Sequence, residues 1–291
     1  MPVSNVRETL ESIGAIASAN IVQFASRTRD REIPVFRDTL SGVIFIDNYY
    51  VGDDEYLTGQ YRGDSLAPNF EDLLDTERRV KSFRQFYVGR RVLDFGCGEG
   101  NFLRQVHPCA SSASGVELQQ SFRKALSVDG IPCHADISQA LTPVDTVFMF
   151  HVLEHLSDPL GALREIRETL EPNSGTLVVE VPHARDLLLS EFQCEAFIDF
   201  TLWSQHLVLH TRDSLQKILI AAGFTDIHIS GVQRYGLVNH LTWLNDGKPG
   251  GHKGPLSVLE TADLSLAYQA ALAGLDRTDT LVATARVASN L

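Results

Sequence analysis

Three glycines at alternate positions form the most informative segment of this sequence. Residues 92–103 read Val-Leu-Asp-Phe-Gly-Cys-Gly-Glu-Gly-Asn-Phe-Leu, so an apolar strand runs through Gly96, Gly98 and Gly100 into a predicted helix. Glycine permits a tight turn and lets the main chain approach a ligand closely. The start of a helix adds unsatisfied N–H groups and the positive end of a dipole. The segment is either a sharp strand-to-helix turn without a ligand or, as we expect, a small-molecule site.

Two classes of ligand compete for this turn. A dinucleotide site favours G-x-G-x-x-G, because its pyrophosphate sits on the helix N-terminus. In that frame Asn101 stands where the third glycine belongs, and Glu99 would bring negative charge to the pyrophosphate. The pattern is better suited to a ligand that carries an amino acid and a nucleoside. Asp94, at the strand end, can then meet an ammonium group directly or through water.

Acidic residues also stand at the end of the next predicted strand and just after the one that follows it. Glu117 can accept hydrogen bonds from both hydroxyls of a ribose, which is equally true of dinucleotide sites. Asp136 can accept from an adenine amino group while Ile137 packs on the ring, although Asp is also a favoured helix cap. Together with Leu118, which follows Glu117, these residues are the predicted contacts for the nucleoside.

Short apolar runs alternate with amphipathic stretches from residue 91 onward. This alternation predicts a parallel sheet covered by helices on both faces, which is the doubly wound α/β architecture. The predicted strands are Arg91–Phe95, Ser114–Glu117, Pro132–His134, Asp145–Phe150, Gly175–Val181, Asp226–Ser230 and Thr280–Val287, and the predicted helices are Gly100–Val106, Gln119–Val128, Asp158–Leu170, Arg185–Glu191, Arg212–Ala222 and Ser257–Leu275.

A separate cap is predicted before this region. Its expected elements are a helix within the first 30 residues that begins with an Asn5–Glu8 capping box, a hairpin of Ile33–Phe36 and Val43–Ile46, an irregular segment at Tyr49–Asn69 and a helix at about Phe70–Tyr87. We therefore divide the chain into a cap at 1–88 and a main domain at 89–291. An insertion at 231–279 precedes the last strand.

Composition excludes several classes of protein. With 44% hydrophobic and 21% charged residues, the 291-residue chain is globular rather than disordered. Its net charge of −12 opposes binding to a nucleic-acid backbone or an anionic membrane. No apolar run reaches the length of a membrane span, and the N-terminus lacks the features of a secretory signal. Four scattered cysteines predict neither a disulfide framework nor a zinc site, so we expect a cytoplasmic protein without a metal.

With the fourth predicted strand included, these motifs resemble those of class I S-adenosylmethionine-dependent methyltransferases. The matching segments are the turn at 94–100, Glu117, Asp136 and Phe150-His151-Val152-Leu153-Glu154-His155-Leu156. They stand in the family's order and at its spacings over roughly residues 91–181. The resemblance implies S-adenosylmethionine as the cofactor and a Rossmann-like, seven-stranded sheet whose last strand is antiparallel.

The resemblance also assigns roles to individual residues. It places Gly96 and Gly98 at the methionine part, Glu117 at the ribose, Asp136 at the adenine, and Phe150 and His151 beside the sulfonium, and it implies helix-start and packing roles for Glu154 and His155. N-terminal segments often fold over the cofactor in this superfamily, so Arg62 is a candidate partner for the methionine carboxylate.

Beyond residue 181 the chain resembles methyltransferases that act on sugars, nucleotide-sugars and surface glycans. Residues 201–211 look like a degraded Tyr-His-Glu-His-Leu segment, which supplies active-site acids and bases in sugar C-methyltransferases. Only His206 remains, because Trp203, Ser204 and Gln205 replace the other positions. These losses disfavour removal of a carbon-bound proton. One histidine with a near-neutral pKa suffices for a hydroxyl, so His206 is either the base of an O-methylation or a structural histidine.

The insertion resembles segments of methyltransferases in bacterial polysaccharide biosynthesis. It offers an aromatic plane for a sugar face, amide and imidazole donors, and lysines that could hold an acceptor phosphate or carboxylate. A solvated loop with a buried tryptophan is the alternative. The predicted acceptor contacts are Tyr235, Asn239, His240, Trp243, Lys248, His252 and Lys253.

The sequence thus predicts a methyltransferase that O-methylates a small, sugar-containing acceptor. A nicotinamide oxidoreductase shares Glu117 but is disfavoured by the misplaced third glycine. An N- or C-methyltransferase shares every cofactor feature, and a non-catalytic cofactor-binding partner would release no S-adenosylhomocysteine. A nucleic-acid methyltransferase is disfavoured by charge. The sequence leaves the oligomeric state open.

Overall fold

The computed structural model describes residues 4–58 and 70–288. The strands are β1 Ile21–Ala25, β2 Val35–Asp38, β3 Ile44–Ile46, β4 Arg91–Phe95, β5 Ser112–Val116, β6 Cys133–His134, β7 Thr146–Phe150, β8 Thr176–Pro182, β9 Val208–Leu209, β10 Phe224–Val232 and β11 Thr280–Val287. The α-helices are α1 Val6–Ser12, α2 Asp53–Thr58, α3 Phe70–Ser82, α4 Arg84–Tyr87, α5 Asn101–Val106, α6 Gln120–Val128, α7 Pro159–Thr169, α8 Leu187–Ser190, α9 Glu195–Thr201, α10 Arg212–Ala221, α11 Leu237–Asp246 and α12 Ala262–Leu275.

The predicted doubly wound fold is confirmed. Within the described residues the main sheet has seven strands in the order β10-β11-β8-β7-β4-β5-β6. Neighbouring strands from β8 to β6 are parallel, whereas β11 is antiparallel to both β8 and β10. The central strands are fully buried, as at Val147, Phe148 and Met149, because helices cover both faces of the sheet. Parallel strands end at one edge, and this edge carries the predicted ligand contacts.

The predicted helix over the first 30 residues is wrong beyond α1. Gly14 has a φ of +67° two residues after the helix ends, a conformation that does not continue a helix. Ile21–Ala25 instead forms β1, which pairs with β2. The Asn5 side chain makes no capping bond. Long-range strand pairing has overridden a local helical pattern here.

The predicted hairpin of β2 and β3 is confirmed, but its sheet extends further. Its order is β1-β2-β3-β9, and β9 comes from far along the chain. The cap therefore shares a sheet with the segment that carries His206. The segment predicted to be irregular contains α2, whose first turn holds three acidic residues that suit a helix N-terminus.

None of the helices in the described part of the chain has both the length and the apolar character needed to cross a membrane.

Candidate functional site

A cavity of about 870 Å³ lies at the carboxyl edge of the main sheet, near the upper end of the usual range for small-molecule sites. A smaller space of about 140 Å³ adjoins it and shares Arg79, Gly96, Gly98 and Phe150 with it. The structure brings together in these linings nine of the ten predicted cofactor contacts: Asp94, Gly96, Gly98, Glu117, Leu118, Asp136, Ile137, Phe150 and His151. The tenth, Arg62, lies outside the described residues.

The glycine turn has a shape that only glycine allows. Gly96 has a φ of +74°, and a Cβ there would lie 2.5 Å from Cγ2 of Val152. Gly100 has a φ of +77°, and its Cβ would lie 2.3 Å from Leu126. Both positions therefore need glycine for conformation and for space. The main chain of the turn consequently forms part of the cavity wall itself.

Glu117 is tied to the glycine turn. It is 9% exposed, and its Oε2 accepts from the Gly98 N–H at 2.9 Å. Its Oε1 accepts from the Gln119 N–H at 2.8 Å. A carboxylate has about four lone-pair sites, so both oxygens retain capacity for a ribose hydroxyl. The contact between Glu117 and the ribose stays a prediction. Glu117 also holds the glycine turn through its bond with Gly98.

Asp136 caps a 3₁₀ turn at Ile137–Gln139. Helix capping was the alternative to adenine binding in the sequence analysis. Its Oδ1 accepts from the Ser138 N–H at 2.8 Å and from the Ser138 hydroxyl at 2.5 Å. These bonds lower the pKa of Asp136 below its usual range. Ile137 is 7% exposed and lies beside it in the lining. The adenine contact stays a prediction that the capping role does not oppose.

An acidic and a basic side chain, Asp94 and Arg79, line the smaller space. Asp94 is 3% exposed, and burial raises the pKa of Asp94 to about 7. The Arg79 guanidinium opposes this increase, while the charge of Glu117 adds to it. Arg79 and Asp94 line the same space. An amino acid head group carries both charges, so this pair is complementary to it.

Ionisation of Asp94 predicts a pH-dependent affinity for S-adenosylhomocysteine. An adjacent ammonium favours the charged carboxylate, so binding releases a proton while Asp94 is still protonated. The affinity should rise with pH by up to about tenfold per unit below pH 7 and level off above it. Calorimetry across this range tests the slope, with 5′-methylthioadenosine, which has no ammonium, as the control ligand. The same slope in Asp94→Asn would contradict the assignment.

Arg79 is a site residue that the sequence reasoning missed. It lies on α3, and its guanidinium carbon is 4.5 Å from the Phe150 ring centroid. Its Nε donates to Oε2 of Glu180 at 2.8 Å, and its Nη2 lies 3.2 Å from Asp75. The available signal was the Arg78-Arg79 pair on a predicted helix in an acidic chain. Its position makes Arg79 a candidate for the carboxylate contact that the sequence gave to Arg62.

His151 follows Phe150 in a left-handed conformation, with a φ of +54°. Its Nδ1 lies 3.1 Å from Oε1 of Glu154, whose side chain is fully buried. Burial lowers the pKa of His151 well below its ordinary value and raises the pKa of Glu154 to about 8. An unusual backbone conformation beside a cavity is typical of functional positions.

His206 lies behind the cavity wall. Its ring centroid is 5.0 Å from that of His155 and 5.5 Å from that of Trp203, and these two residues line the cavity whereas His206 does not. Burial and the neighbouring His155 lower the pKa of His206 well below its ordinary value. This direction does not favour the near-neutral pKa at which a histidine assists proton transfer best. A catalytic role for His206 stays a prediction.

His155, to which the sequence gave a packing role, faces the cavity. Its Nδ1 lies 2.9 Å from the Gln205 carbonyl oxygen, and since that oxygen can only accept, Nδ1 carries the proton. Burial lowers the pKa of His155 to about 4. The neutral ring therefore has its lone pair on Nε2.

The structure does not bring the predicted acceptor contacts of the insertion to the cavity. Trp243 is 3% exposed and packs against Phe197 and Phe200. His240 is 3% exposed and bonds with Tyr268. The remaining members, Tyr235, Asn239, Lys248, His252 and Lys253, are also absent from the lining.

The physical reason is that α11 packs its polar and aromatic residues inward. Asn239 accepts from the Gly250 N–H, while Lys248 and Lys253 are exposed to solvent. Arg234, just before this segment, does line the cavity. A role in acceptor binding for the insertion residues stays a prediction that this arrangement does not support.

The chain is similar to known methyltransferases. A sequence model of the methyltransferase domain family matches residues 60–229, more than half of the chain. A SAM-dependent methyltransferase from Archaeoglobus fulgidus has a TM-score of 0.50 and 22% identity, over 73% of this chain and 92% of its own. A SAM-dependent methyltransferase from Thermotoga maritima, described as a possible histamine N-methyltransferase, has a TM-score of 0.51 and 14% identity, over 80% and 97%. The chain therefore belongs to the methyltransferase domain family, and its cofactor is S-adenosylmethionine.

Proposed function

We propose that this methyltransferase O-methylates a small, sugar-containing acceptor, namely a free sugar, a nucleotide-sugar or a glycan fragment. The observation that carries the proposal is a group of aromatic rings in the cavity lining. Tyr50, Tyr56 and Trp203 contribute to it. The centroids of Tyr50 and Tyr56 are 6.4 Å apart, and that of His155 is 6.0 Å from both Tyr56 and Trp203.

This aromatic group lies on elements that carry none of the predicted cofactor contacts. Tyr50 and Tyr56 come from the cap, and Trp203 comes from the segment after α9. Aromatic rings offer apolar faces of the kind that pack on the C–H face of a sugar. The carboxylates of Asp53 and Asp158 line the same cavity and accept hydrogen bonds. Rings together with acceptors suit a ligand rich in hydroxyl groups.

The proposed reaction is an in-line displacement. An acceptor oxygen attacks the sulfonium methyl carbon, the C–S electron pair stays on sulfur, and the hydroxyl proton leaves the acceptor. The donor is intrinsically reactive, so the protein mainly supplies alignment and exclusion of water. We place the reaction in the cytoplasm, because the described cysteines are free thiols and a reducing compartment keeps them so.

His206→Ala tests the catalytic role that the sequence gave to His206, because a group that assists proton transfer contributes about 100-fold or more to turnover. Affinity for S-adenosylhomocysteine should not change, because His206 is outside the lining. Steady-state kinetics and calorimetry on the same preparation test both statements. His107→Ala, at an exposed histidine, is the control. Unchanged turnover would remove His206 from the mechanism.

The acceptor is tested directly by incubating the protein with S-adenosylmethionine and a panel of free sugars, UDP- and GDP-sugars and short glycans. Mass spectrometry detects a gain of one methyl group, and fragmentation locates it. Methylation of a hydroxyl supports the proposal. An amine or carbon product from a parallel panel of amines and keto-sugars would contradict it. Absence of S-adenosylhomocysteine release with every compound would instead indicate a non-catalytic cofactor-binding protein.

A further inference from the structure

Three side chains with metal-binding atoms meet behind the acceptor side of the cavity. One atom from each of Glu154, His155 and His206 lies within 4.8 Å of the others. Glu154 and His155 belong to a 3₁₀ turn after β7, and His206 lies in the segment before β9. The two segments are joined by a backbone bond from the Leu207 N–H to the Glu154 oxygen at 2.7 Å. Two distant parts of the chain are thus fixed against each other at this point.

Two atoms of this cluster are buried without a hydrogen-bond partner. They are Oε2 of Glu154, whose side chain is 0% exposed, and Nδ1 of His206. A buried polar atom without a partner costs about 1–3 kcal/mol and calls for an explanation. In this arrangement the two atoms do not form a hydrogen bond with each other. A bound cation would satisfy both.

The other polar atoms of the cluster are held as in known metal sites. Nδ1 of His155 donates to the Gln205 carbonyl, which leaves Nε2 as the electron-pair donor. Oε1 of Glu154 is held by His151 at 3.1 Å, which leaves Oε2. Ligating histidines typically donate their second N–H to a carbonyl or carboxylate, and ligating carboxylates are themselves hydrogen-bonded. This outer shell is already formed.

We propose that Glu154, His155 and His206 bind a divalent first-row transition metal ion such as Mn²⁺, Co²⁺ or Zn²⁺. Two imidazoles and one carboxylate suit these ions, whereas Mg²⁺ and Ca²⁺ prefer oxygen ligands. Three protein ligands leave coordination positions for water or substrate. His155 is the member of the cluster that lines the cavity, so we expect these positions to open toward it.

A second cluster differs from the first in its close pairing with arginine. Asp75, His151 and Glu180 also lie within 4.8 Å of one another. Their carboxylates are already neutralised by Arg78 and Arg79, at distances of 2.6–3.2 Å. Fixed guanidinium charges repel a cation and occupy the carboxylate oxygens. Among the described residues Glu154 forms a close pair only with His151, while Arg79 and Arg234 act on it from a greater distance.

The role of the ion rests on the proposed function, although its binding does not. A hydroxyl oxygen that coordinates a divalent cation loses its proton more readily. That proton passes to solvent, the oxygen forms a bond to the methyl carbon, and the C–S bond breaks with its electron pair on sulfur. The ion would therefore activate the acceptor hydroxyl directly.

Binding is tested first without any acceptor. The full chain is stripped with a chelator, dialysed and titrated with CoCl₂, MnCl₂ and MgCl₂. We expect one Co²⁺ per chain with a visible absorption spectrum typical of nitrogen and oxygen ligands, one Mn²⁺ by electron paramagnetic resonance, and a higher thermal midpoint with either. Failure of the unmodified protein to bind Co²⁺ or Mn²⁺, or equal binding of Mg²⁺, would overturn the proposal.

Variants then test the ligands. Glu154→Gln and His206→Asn should each weaken Co²⁺ binding by at least about 100-fold, since even outer-shell changes cost 10–100-fold. His107→Asn should leave it unchanged. Glu154→Gln is a buried change, so His206→Asn provides the second test if it fails to fold. Wild-type affinity in a folded His206→Asn protein would exclude His206 as a ligand.

Activity separates this proposal from the proposed function. With a hydroxylated acceptor from the panel, chelation should lower turnover at least about 100-fold and Mn²⁺ or Zn²⁺ should restore it. Methylation of an amine alone would contradict O-methylation while the Co²⁺ titration still decides the metal site. If the protein bound one metal ion per chain but a chelator did not change its turnover, the catalytic role of the ion would be overturned.

Discussion

Arg79→Ala is expected to weaken binding of S-adenosylhomocysteine by at least about 30-fold. Arg79 and Asp94 line the smaller space beside the glycine turn, where the amino acid part of the cofactor is predicted to lie. Loss of one member of a buried, hydrogen-bonded charge pair costs about 2–5 kcal/mol. Because each 1.4 kcal/mol is tenfold in Kd, even the lower figure gives a measurable change. Isothermal titration calorimetry measures it directly.

The ligand itself provides the control for Arg79. 5′-Methylthioadenosine keeps the nucleoside and the sulfur but lacks the carboxylate, so its affinity should be nearly the same in Arg79→Ala and the unmodified protein. Arg78→Ala is the matched variant, since Arg78 shares Glu180 with Arg79 but does not line either space. An equal loss for both ligands would mean that Arg79 acts through the fold rather than on the carboxylate.

Glu180→Gln should lower the free energy of unfolding by about 3–5 kcal/mol, because a buried ion network loses its central charge. The Glu180 side chain is 0% exposed. Its two oxygens accept from Arg78 at 3.0 and 2.9 Å and from Arg79 at 2.8 Å. An amide is uncharged and accepts at one atom only, so Asp75 remains as the charged partner that Arg78 and Arg79 share. Urea unfolding followed by circular dichroism gives the difference.

An exposed ion pair of similar geometry is the control for Glu180. Glu191 lies 2.6 Å from Arg277, but its side chain is 54% exposed. Glu191→Gln should cost less than about 1 kcal/mol, because solvent screens the pair. If both variants lost the same stability, burial would not govern the strength of the Glu180 network. The Glu180 variant should also bind cofactor more weakly, since Arg79 loses the carboxylate that orients it.

The cofactor half of the site could be predicted from the sequence because its signals are local. Gly96 and Gly98 stand in one turn, and Asp94, Glu117 and Asp136 each stand at or just after the end of an apolar strand. Parallel strands bring their carboxyl ends to one edge, so strand order alone places these residues together. The linings of the two spaces contain all five.

The acceptor half could not be predicted in the same way. Trp243, His240 and Lys248 have types suited to sugar and phosphate binding, yet two of them pack inward and the third faces solvent. Side chains on a helix can face the core, the solvent or a cavity, and the contacts that decide this come from elsewhere in the chain. Tyr56 and Trp203 reach the cavity because β9 joins the cap to the segment after α9.

By itself, then, the sequence determined the doubly wound fold, the class of cofactor and the edge of the sheet that carries the predicted cofactor contacts. These three properties follow from the periodicity of hydrophobic residues, the spacing of the glycines and the acidic residues at the ends of strands. Each of these patterns extends over only a few residues. Only the tertiary structure decided which basic and imidazole groups reach the cavity. Arg79 meets Glu180 across 101 residues, and His155 meets Gln205 across 50. Such pairings depend on how the cap and the β9 segment pack on the sheet, and no local pattern encodes them.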